Sequence, residues 1–398
     1  MYERNGYGWR GGSAVVRPSP VAASAVIQSI RRLGPVLRQD LVRDTHVSTA
    51  TVARTVSSLL AAGLIRERPD LVPSGVAGRP SLPLEIDGRR HAVLGLHVGK
   101  HVLTTALASI DGRVLVTGRS SGGPDGTRSG AAPDPVQVIS RALLRCASRF
   151  PRHRVLTIGL VGPWGDVPWD PADLRDRVQR STDLPVAVTD HVAALAAADL
   201  LSRPGRTDGS TLYLYARDTM GFVLVRDGRL PEDGKAGRLT HLPTGGDVPC
   251  GCGEVGCLGV SAGDTPLAVR AHRAGVVDRP AIAAVVAAAR GGDPAALALL
   301  RERARILGRA TGVLRDMLHP DRIVVAGQAF TGFPAVYEDV LAAFRASTTS
   351  ASGQTPVDLH GLAHSPTAVQ AVAATSCALR LLYADPLAVV GETRALSA

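Results

Sequence analysis

Three of the chain's five cysteines, Cys250, Cys252 and Cys257, fall within eight positions, and His241 lies shortly before them. Thiolate and imidazole are the preferred ligands of Zn²⁺, and a structural site needs four of them placed tetrahedrally. Cys-x-Cys-x4-Cys with a nearby histidine supplies that set, and Gly251, Gly253 and Gly256 let the backbone turn tightly between the ligands. Four protein ligands leave no open coordination position, so the ion expected is Zn²⁺ in a structural role. The competing reading is a set of separate thiols in a turn-rich loop. Few cysteines, clustered in this way, suit a reducing compartment and metal binding better than disulfides.

A second chemistry is carried by charge. The formal net charge is +10, and residues 1–90 hold 13 Arg and no Lys against 7 Asp and Glu. Such an asymmetry points to nucleic acid, although a generally arginine-rich composition would produce the same excess. The elements around these arginines separate the two readings. Val26, Ile27, Ile30 and Leu33 recur at helical spacing from about Ala22, and Gly34 stops the run. A short helix is predicted from about Arg38 to Asp44. A longer one follows over 47–62, capped by Ser48, with Val52, Val56, Leu59 and Leu60 as its buried stripe and Gly63 closing it. Helix, short helix, turn and longer helix make a helix-turn-helix, whose last helix presents its N-terminal residues to base edges in the major groove. Those residues are Thr49, Ala50, Thr51 and Arg54, with Arg38 on the preceding helix. Two short strands around a Gly/Pro loop then read as a wing, with Gly78-Arg79-Pro80 where a loop would reach along DNA. A narrow minor groove favours an inserted arginine; a helical cap that binds a partner, or a turn with a solvated arginine, is the alternative.

The remainder reads as α/β. Ala92–Leu115 is strand, turn, strand and an Asp-Gly hairpin at Asp111-Gly112, and Thr211–Leu230 repeats that order. The echo predicts two related lobes facing a cleft. Val155–Pro163 is a buried strand, Leu184–Leu201 a strand leading into an Ala-rich helix, and Asp321–Phe330 a buried strand with a glycine turn. Helices are expected over 281–318 and 367–383. Trp164 and Trp169 sit in a Pro/Gly-rich loop, while Cys146 and Cys377 read as core. The N-terminus carries no apolar signal core, and no apolar run reaches the roughly 18 residues of a membrane span. The expected location is the cytoplasm, on the nucleoid when DNA-bound, with no membrane partner.

The stretch PCGCGEVGCLG resembles the zinc signature C-x-CG-x-x-GC-x-E of the ROK family (repressors, open reading frames and kinases), and His241 matches the histidine of that family's E-x-G-H. The resemblance extends from Ala22 to about Tyr383, and IVVAG is similar to the family's adenosine-side strand. It implies a two-lobed, actin- and hexokinase-like (ribonuclease H-like) body behind an N-terminal winged helix-turn-helix. It also implies a homodimer or homotetramer, an operator in double-stranded DNA, and a sugar or sugar-derived effector. The family's first phosphate loop, D-x-G-G-T, is here His97-Val98-Gly99-Lys100-His101, without the acid or the hydroxyl. The second, G-T-G-x-G, is Arg217-Asp218-Thr219-Met220-Gly221, and Met220 is expected to obstruct it.

By the same resemblance the catalytic aspartate falls on His191, with Asp190 adjacent, and the family's sugar-binding glutamates fall on Arg238 and Gly259. The chain therefore reads as a regulator, most readily a repressor, whose kinase-like body has no catalytic residue. An ATP-dependent sugar kinase carrying a DNA-binding head, or a DNA-binding protein without effector, are the alternatives. An effector pocket would involve Asp190, His191, Arg238 and His241. Arg238 would either grip an anionic sugar derivative, since guanidinium offers only donors, or form an internal ion pair in a vestigial pocket; a neutral sugar is the third possibility. The expected layout is a tail over 1–18, the winged helix over 19–87, lobe 1 over 88–205, lobe 2 with the zinc site over 206–382 and its last helix returning to lobe 1, and a tail over 383–398.

Overall fold

The computed structural model describes residues 19–72, 81–99, 102–121, 133–202, 208–231, 234–347, 357–359 and 366–395. They form two compact units. One holds the described residues up to Asp87 together with those from Tyr383 onward; the other runs from Gly88 to Leu382.

The first unit starts with three helices, α1 (Pro20–Leu33), α2 (Arg38–Thr45) and α3 (Thr49–Ala61), followed by β1 (Ile65–Glu67) and β2 (Leu84–Ile86). Ser19 caps α1 through the Ala22 N–H, and Pro20 takes the first helical position, where a missing N–H costs nothing. Val26, Ile27 and Ile30 of α1 are buried with Leu41, Val52, Val56 and Leu59, and α1 packs on α2 and α3. Each such side chain contributes roughly 1.5–3 kcal/mol of burial free energy. Strands β1 and β2 pair antiparallel, Ile65 opposite Ile86. The expected tail over 1–18 lies outside the described residues. The tail expected at 383–398 is corrected: Pro386–Ala395 is a helix packed on α1 and α3. Asp385 accepts from the Ala388 N–H, Pro386 opens the helix, and Val389 and Val390 are buried. Tyr383 lies under the Arg31 guanidinium, 5.8 Å from its ring centre. Two ends of the chain thus build one small core, which a local reading of a short C-terminal stretch misses.

The second unit contains two five-stranded sheets. The first is built from β3 (His91–Val98), β4 (Val102–Ser109), β5 (Val114–Ser121), β6 (Arg154–Gly162) and β7 (Val186–Asp190), with α4 (Pro135–Arg149), α5 (Pro171–Thr182) and α6 (His191–Ser202). Its order is β5-β4-β3-β6-β7, antiparallel through β5, β4 and β3 and parallel from β3 to β7. The second sheet uses β8 (Ser210–Ala216), β9 (Met220–Arg226) and β10 (Gly237–Arg238). Helices α7 (Leu258–Ala262), α8 (Asp264–Arg273), α9 (Ile282–Arg290) and α10 (Pro294–Leu318) follow. Then come β11 (Arg322–Ala326), α11 (Gln328–Thr331), α12 (Tyr337–Ala346) and β12 (Val357–Leu359). Its order is β10-β9-β8-β11-β12, with the same switch from antiparallel to parallel. The echo expected from the sequence is therefore a repeat of topology, and both Asp-Gly turns close hairpins, with Asp227 and Gly228 at positive φ. The expected lobe boundary near 205 lies outside the described residues.

Helix α13 (Pro366–Ala384) returns to the first sheet. Thr157 Oγ1 donates to the Ala378 carbonyl at 2.9 Å, and Thr104 Oγ1 to Gln370 Oε1 at 2.8 Å. A Cβ on Gly159 would stand 2.5 Å from the Ala374 carbonyl oxygen, and one on Gly95 2.6 Å from the Thr375 nitrogen. These two glycines let α13 lie directly on β3 and β6. The last helix, Pro386–Ala395, is α14.

Candidate functional site

In the first unit Ser48 caps α3, its hydroxyl accepting from the Thr51 N–H at 3.3 Å. With Val52, Val56 and Leu59 turned inward, Thr49, Ala50, Ala53, Arg54 and Ser57 are exposed on the other face. Arg54 Nη2 lies 3.4 Å from Thr51 Oγ1, so the guanidinium is steadied without being neutralised. Ala53 and Ser57 were missed in the sequence; they follow from the helical period once the buried stripe is known. Arg38 is not left free for phosphate: it forms an ion pair with Glu67 of β1 at 2.7 Å, tying α2 to the base of the wing. Gly78, Arg79 and Pro80 lie outside the described residues.

In the second unit His241, Cys250, Cys252 and Cys257 converge, all four candidate ligand atoms lying within 4.8 Å of one another. The loop is built by short backbone bridges. Pro249 pairs with Val255 and Pro243 with Cys257, and the Cys250 N–H donates to the Glu254 carbonyl at 2.8 Å. Gly256 sits at φ 67°, and a Cβ there would meet the Gly246 oxygen at 2.3 Å, so only glycine closes this turn. A tetrahedral ion with Zn–S of about 2.3 Å and Zn–N of about 2.0–2.1 Å spaces its ligands about 3.8 Å (S to S) and about 3.6 Å (S to N) apart. Cys252 Sγ and Cys257 Sγ stand 3.7 Å apart, and Cys250 Sγ and His241 Nδ1 3.6 Å apart. The four residues fit a zinc ion. Burial pushes the Cys257 thiol up to about 12, so three adjacent thiolates require a cation to coexist.

The C-terminal ends of β3 and β7 carry a different set. His97, near the end of β3, and His191, at the start of α6, meet with Nε2 and Nδ1 2.9 Å apart. Both are buried, and Tyr215 stacks edge-on to His191 at 4.4 Å. Burial lowers His97 to about 4, and it lowers His191 well below the usual histidine range, with Arg217 adding to both. The pair is neutral at pH 7. His97 Nδ1 has no hydrogen-bond partner among the described residues. Asp190 accepts from the Val192 N–H at 2.9 Å and thereby caps α6; burial raises its carboxyl to about 6.

The side chain that the 217–221 turn sets against the N-terminus of α8 is Asp218, not Met220. Met220 is buried in the second lobe's core, so the expectation that it obstructs the turn is corrected. Its place on β9 alternates it inward. Asp218 instead accepts from the Thr265 N–H at 2.7 Å and Oγ1 at 3.0 Å, putting a carboxylate on the N-terminus of α8, where an anion would otherwise be favoured. Arg217 and the buried Arg303 grip Asp264 at 3.1 and 2.9 Å. Arg238 pairs with Asp166 at 2.8 Å, and Thr219 Oγ1 donates to the same carboxylate at 3.0 Å. Asp166, Asp264, Arg303 and Tyr215 escaped the sequence reading, and Asp218 was read only as part of the second phosphate loop. Only the position of Asp166, just beyond a buried parallel strand, hinted at a site.

The ROK family model matches residues 161–370. The chain is 34% identical to the transcriptional regulator Rv0485 of Mycobacterium tuberculosis, over 96% of its own length and 90% of that protein. This chain belongs to the ROK family. It is also 22% identical to the DNA-binding transcriptional dual regulator NagC of Escherichia coli, over 77% of this chain and 80% of NagC. A crystal structure of a ROK-family transcriptional regulator, a homologue of the E. coli Mlc protein, superposes with a TM-score of 0.75 at 22% identity, covering 94% of this chain and 99% of that one. The body therefore has the two-lobed, actin- and hexokinase-like ROK fold. The chain stands with the family's transcriptional regulators, whose matches extend through the N-terminal head.

Proposed function

We propose that this protein is a sequence-specific DNA-binding transcriptional repressor whose kinase-like body is non-catalytic. The observation that carries the reading is the Ser48-capped helix α3, which exposes Thr49, Ala50, Ala53, Arg54 and Ser57 opposite a fully buried stripe. That face fits the major groove, with Arg54 as its charged reader, and the wing carrying Gly78, Arg79 and Pro80 follows the adjacent backbone or minor groove. A homodimer would read a palindromic operator with half-sites separated by whole turns of about 34–36 Å.

Two features support a non-catalytic body. The family's two acid positions, His97 and His191, are a neutral buried pair. A general base contributes roughly 10²–10⁴ in rate, and an imidazole held this far below neutrality in a dry site is a poor one. Asp218 places negative charge where phosphate would approach, against the charge compensation that phosphoryl transfer needs. Zinc, held by His241, Cys250, Cys252 and Cys257, is structural, because four protein ligands fill its tetrahedron. Arg238 is engaged by Asp166, which supports the internal ion pair over a grip on an anionic effector. The same pair favours a vestigial pocket, with a neutral sugar as the remaining effector class.

The decisive experiment is binding of the purified protein to DNA upstream of its own gene, against random DNA at several salt concentrations. A footprinted site with a large specificity ratio is expected. Weak binding without preference, collapsing as salt rises, would overturn the regulator reading. Calorimetry with sugars, sugar acids and sugar phosphates then tests the effector, and binding of only the anionic classes would reverse the assignment of Arg238.

A further inference from the structure

The face of the first sheet covered by α4 carries a cavity of about 360 Å³ that the regulatory reading leaves unused. Its floor is a cross-strand row, Leu94 of β3 opposite Leu107 of β4, itself opposite Val116 of β5. The space exists because the neighbouring positions are small. Thr105 pairs with Gly118, which has no side chain, and Ala142 and Cys146, one turn apart, face them from α4. Two arginines stand at the mouth, Arg145 and Arg149, also one turn apart on α4. The Arg145 guanidinium passes 3.7 Å from where a Gly118 Cβ would be, and that of Arg149 lies 5.8 Å from the Phe150 ring centre. Neither arginine has an acidic partner within ion-pair distance among the described residues. Leu94 and His97 have opposite parity on β3, so this cavity and the histidine pair lie on opposite faces of the sheet.

We propose that this cavity is a binding site for a small organic carboxylate with a compact apolar body. An apolar floor under two unneutralised guanidiniums matches a ligand with one apolar end and one acidic end, the fork geometry of arginine suiting a carboxylate. The volume lies at the lower end of ligand pockets, roughly 300–1,000 Å³, which limits the occupant to fragment size. A polyol fits less well, because only Thr105, Thr117 and Ser148 offer hydroxyls to it, and its other hydroxyls would lie against Leu94, Leu107 and Val116 without partners.

The test uses the full chain with phenylacetate and octanoate as probes and phenylacetamide as the uncharged control, read by calorimetry and ligand-observed saturation transfer. Saturable binding of at least one carboxylate is expected, at least about tenfold tighter than the amide. The paired substitution Arg145→Ala and Arg149→Ala, on exposed side chains that leave the core intact, should weaken it by about tenfold or more. Gly118→Leu, which fills the space, should abolish it. No saturable binding of either carboxylate up to about 10 mM, equal binding of acid and amide, or an unchanged affinity in the double-arginine variant would each overturn the proposal. None of these readouts involves DNA, so failure here leaves the regulator reading standing.

Discussion

Replacing His97 with glutamine should flatten the acid limb of the protein's stability curve. In the fold the His97 imidazole is lowered from 6.5 to about 4, chiefly by burial. A histidine whose folded pKa is depressed contributes stability that is full above its unfolded pKa and is lost as pH falls towards the folded one. Between pH 7 and pH 5 this single group costs about 2 kcal/mol, and His191 acts in the same direction. Asp190 opposes them. Burial raises its carboxyl from 3.8 to about 6, so its contribution grows as pH falls through 6. After discounting for its partial exposure, that gain is about 1 kcal/mol by pH 5. Wild type should therefore lose stability on acidification less steeply than the histidines alone dictate. His97→Gln should remove about 2 kcal/mol of that loss, whereas Asp190→Asn, which keeps an oxygen to cap α6, should steepen it by about 1 kcal/mol. The assay is urea unfolding at closely spaced pH values, followed by tryptophan fluorescence. Trp164 reports on the site directly, since its Nε1 donates to the Thr189 carbonyl at 3.0 Å. Parallel curves for wild type and His97→Gln between pH 5 and 7 would refute the neutral buried pair.

The remaining expectations can be checked separately. Metal analysis should find one zinc per chain, lost in Cys257→Ser. Chelation should lower the melting temperature by about 2–4 °C for each kcal/mol of stability removed, and a metal-free protein of unchanged stability would argue against a structural ion. Arg54→Ala should weaken operator binding by about 1–3 kcal/mol and relax preference at one base pair, whereas equal weakening on random DNA would reassign it to phosphate. Gly159→Ala should destabilise the body by about 1–3 kcal/mol, because its new Cβ meets the backbone of α13 and not a flexible side chain. His191→Asp should not create ATP turnover with sugars, since Asp218 still occupies the N-terminus of α8; measurable phosphorylation would overturn the non-catalytic reading.

The sequence by itself determined everything that depends on local period or on ligand chemistry. The stripe Val52, Val56 and Leu59 implies helix α3 because 3.6-residue spacing is a property of neighbours along the chain. Cys250, Cys252, Cys257 and His241 announce a metal because few other roles gather that set. The repeated strand, turn and Asp-Gly order foretold the echo between the two sheets. What only the tertiary structure decided are the pairings between distant segments. That His97 would meet His191, that Arg238 would find Asp166, and that Asp218 would settle on Thr265 depends on how strands and helices far apart in sequence are brought together. Met220 shows the same limit in reverse, since strand alternation about the β8–β9 turn decides whether a side chain blocks a loop or fills a core. The C-terminal helix was unreadable as structure for that reason too. Its apolar residues are too few to form a core alone, and they gain their stability only against α1, at the other end of the chain.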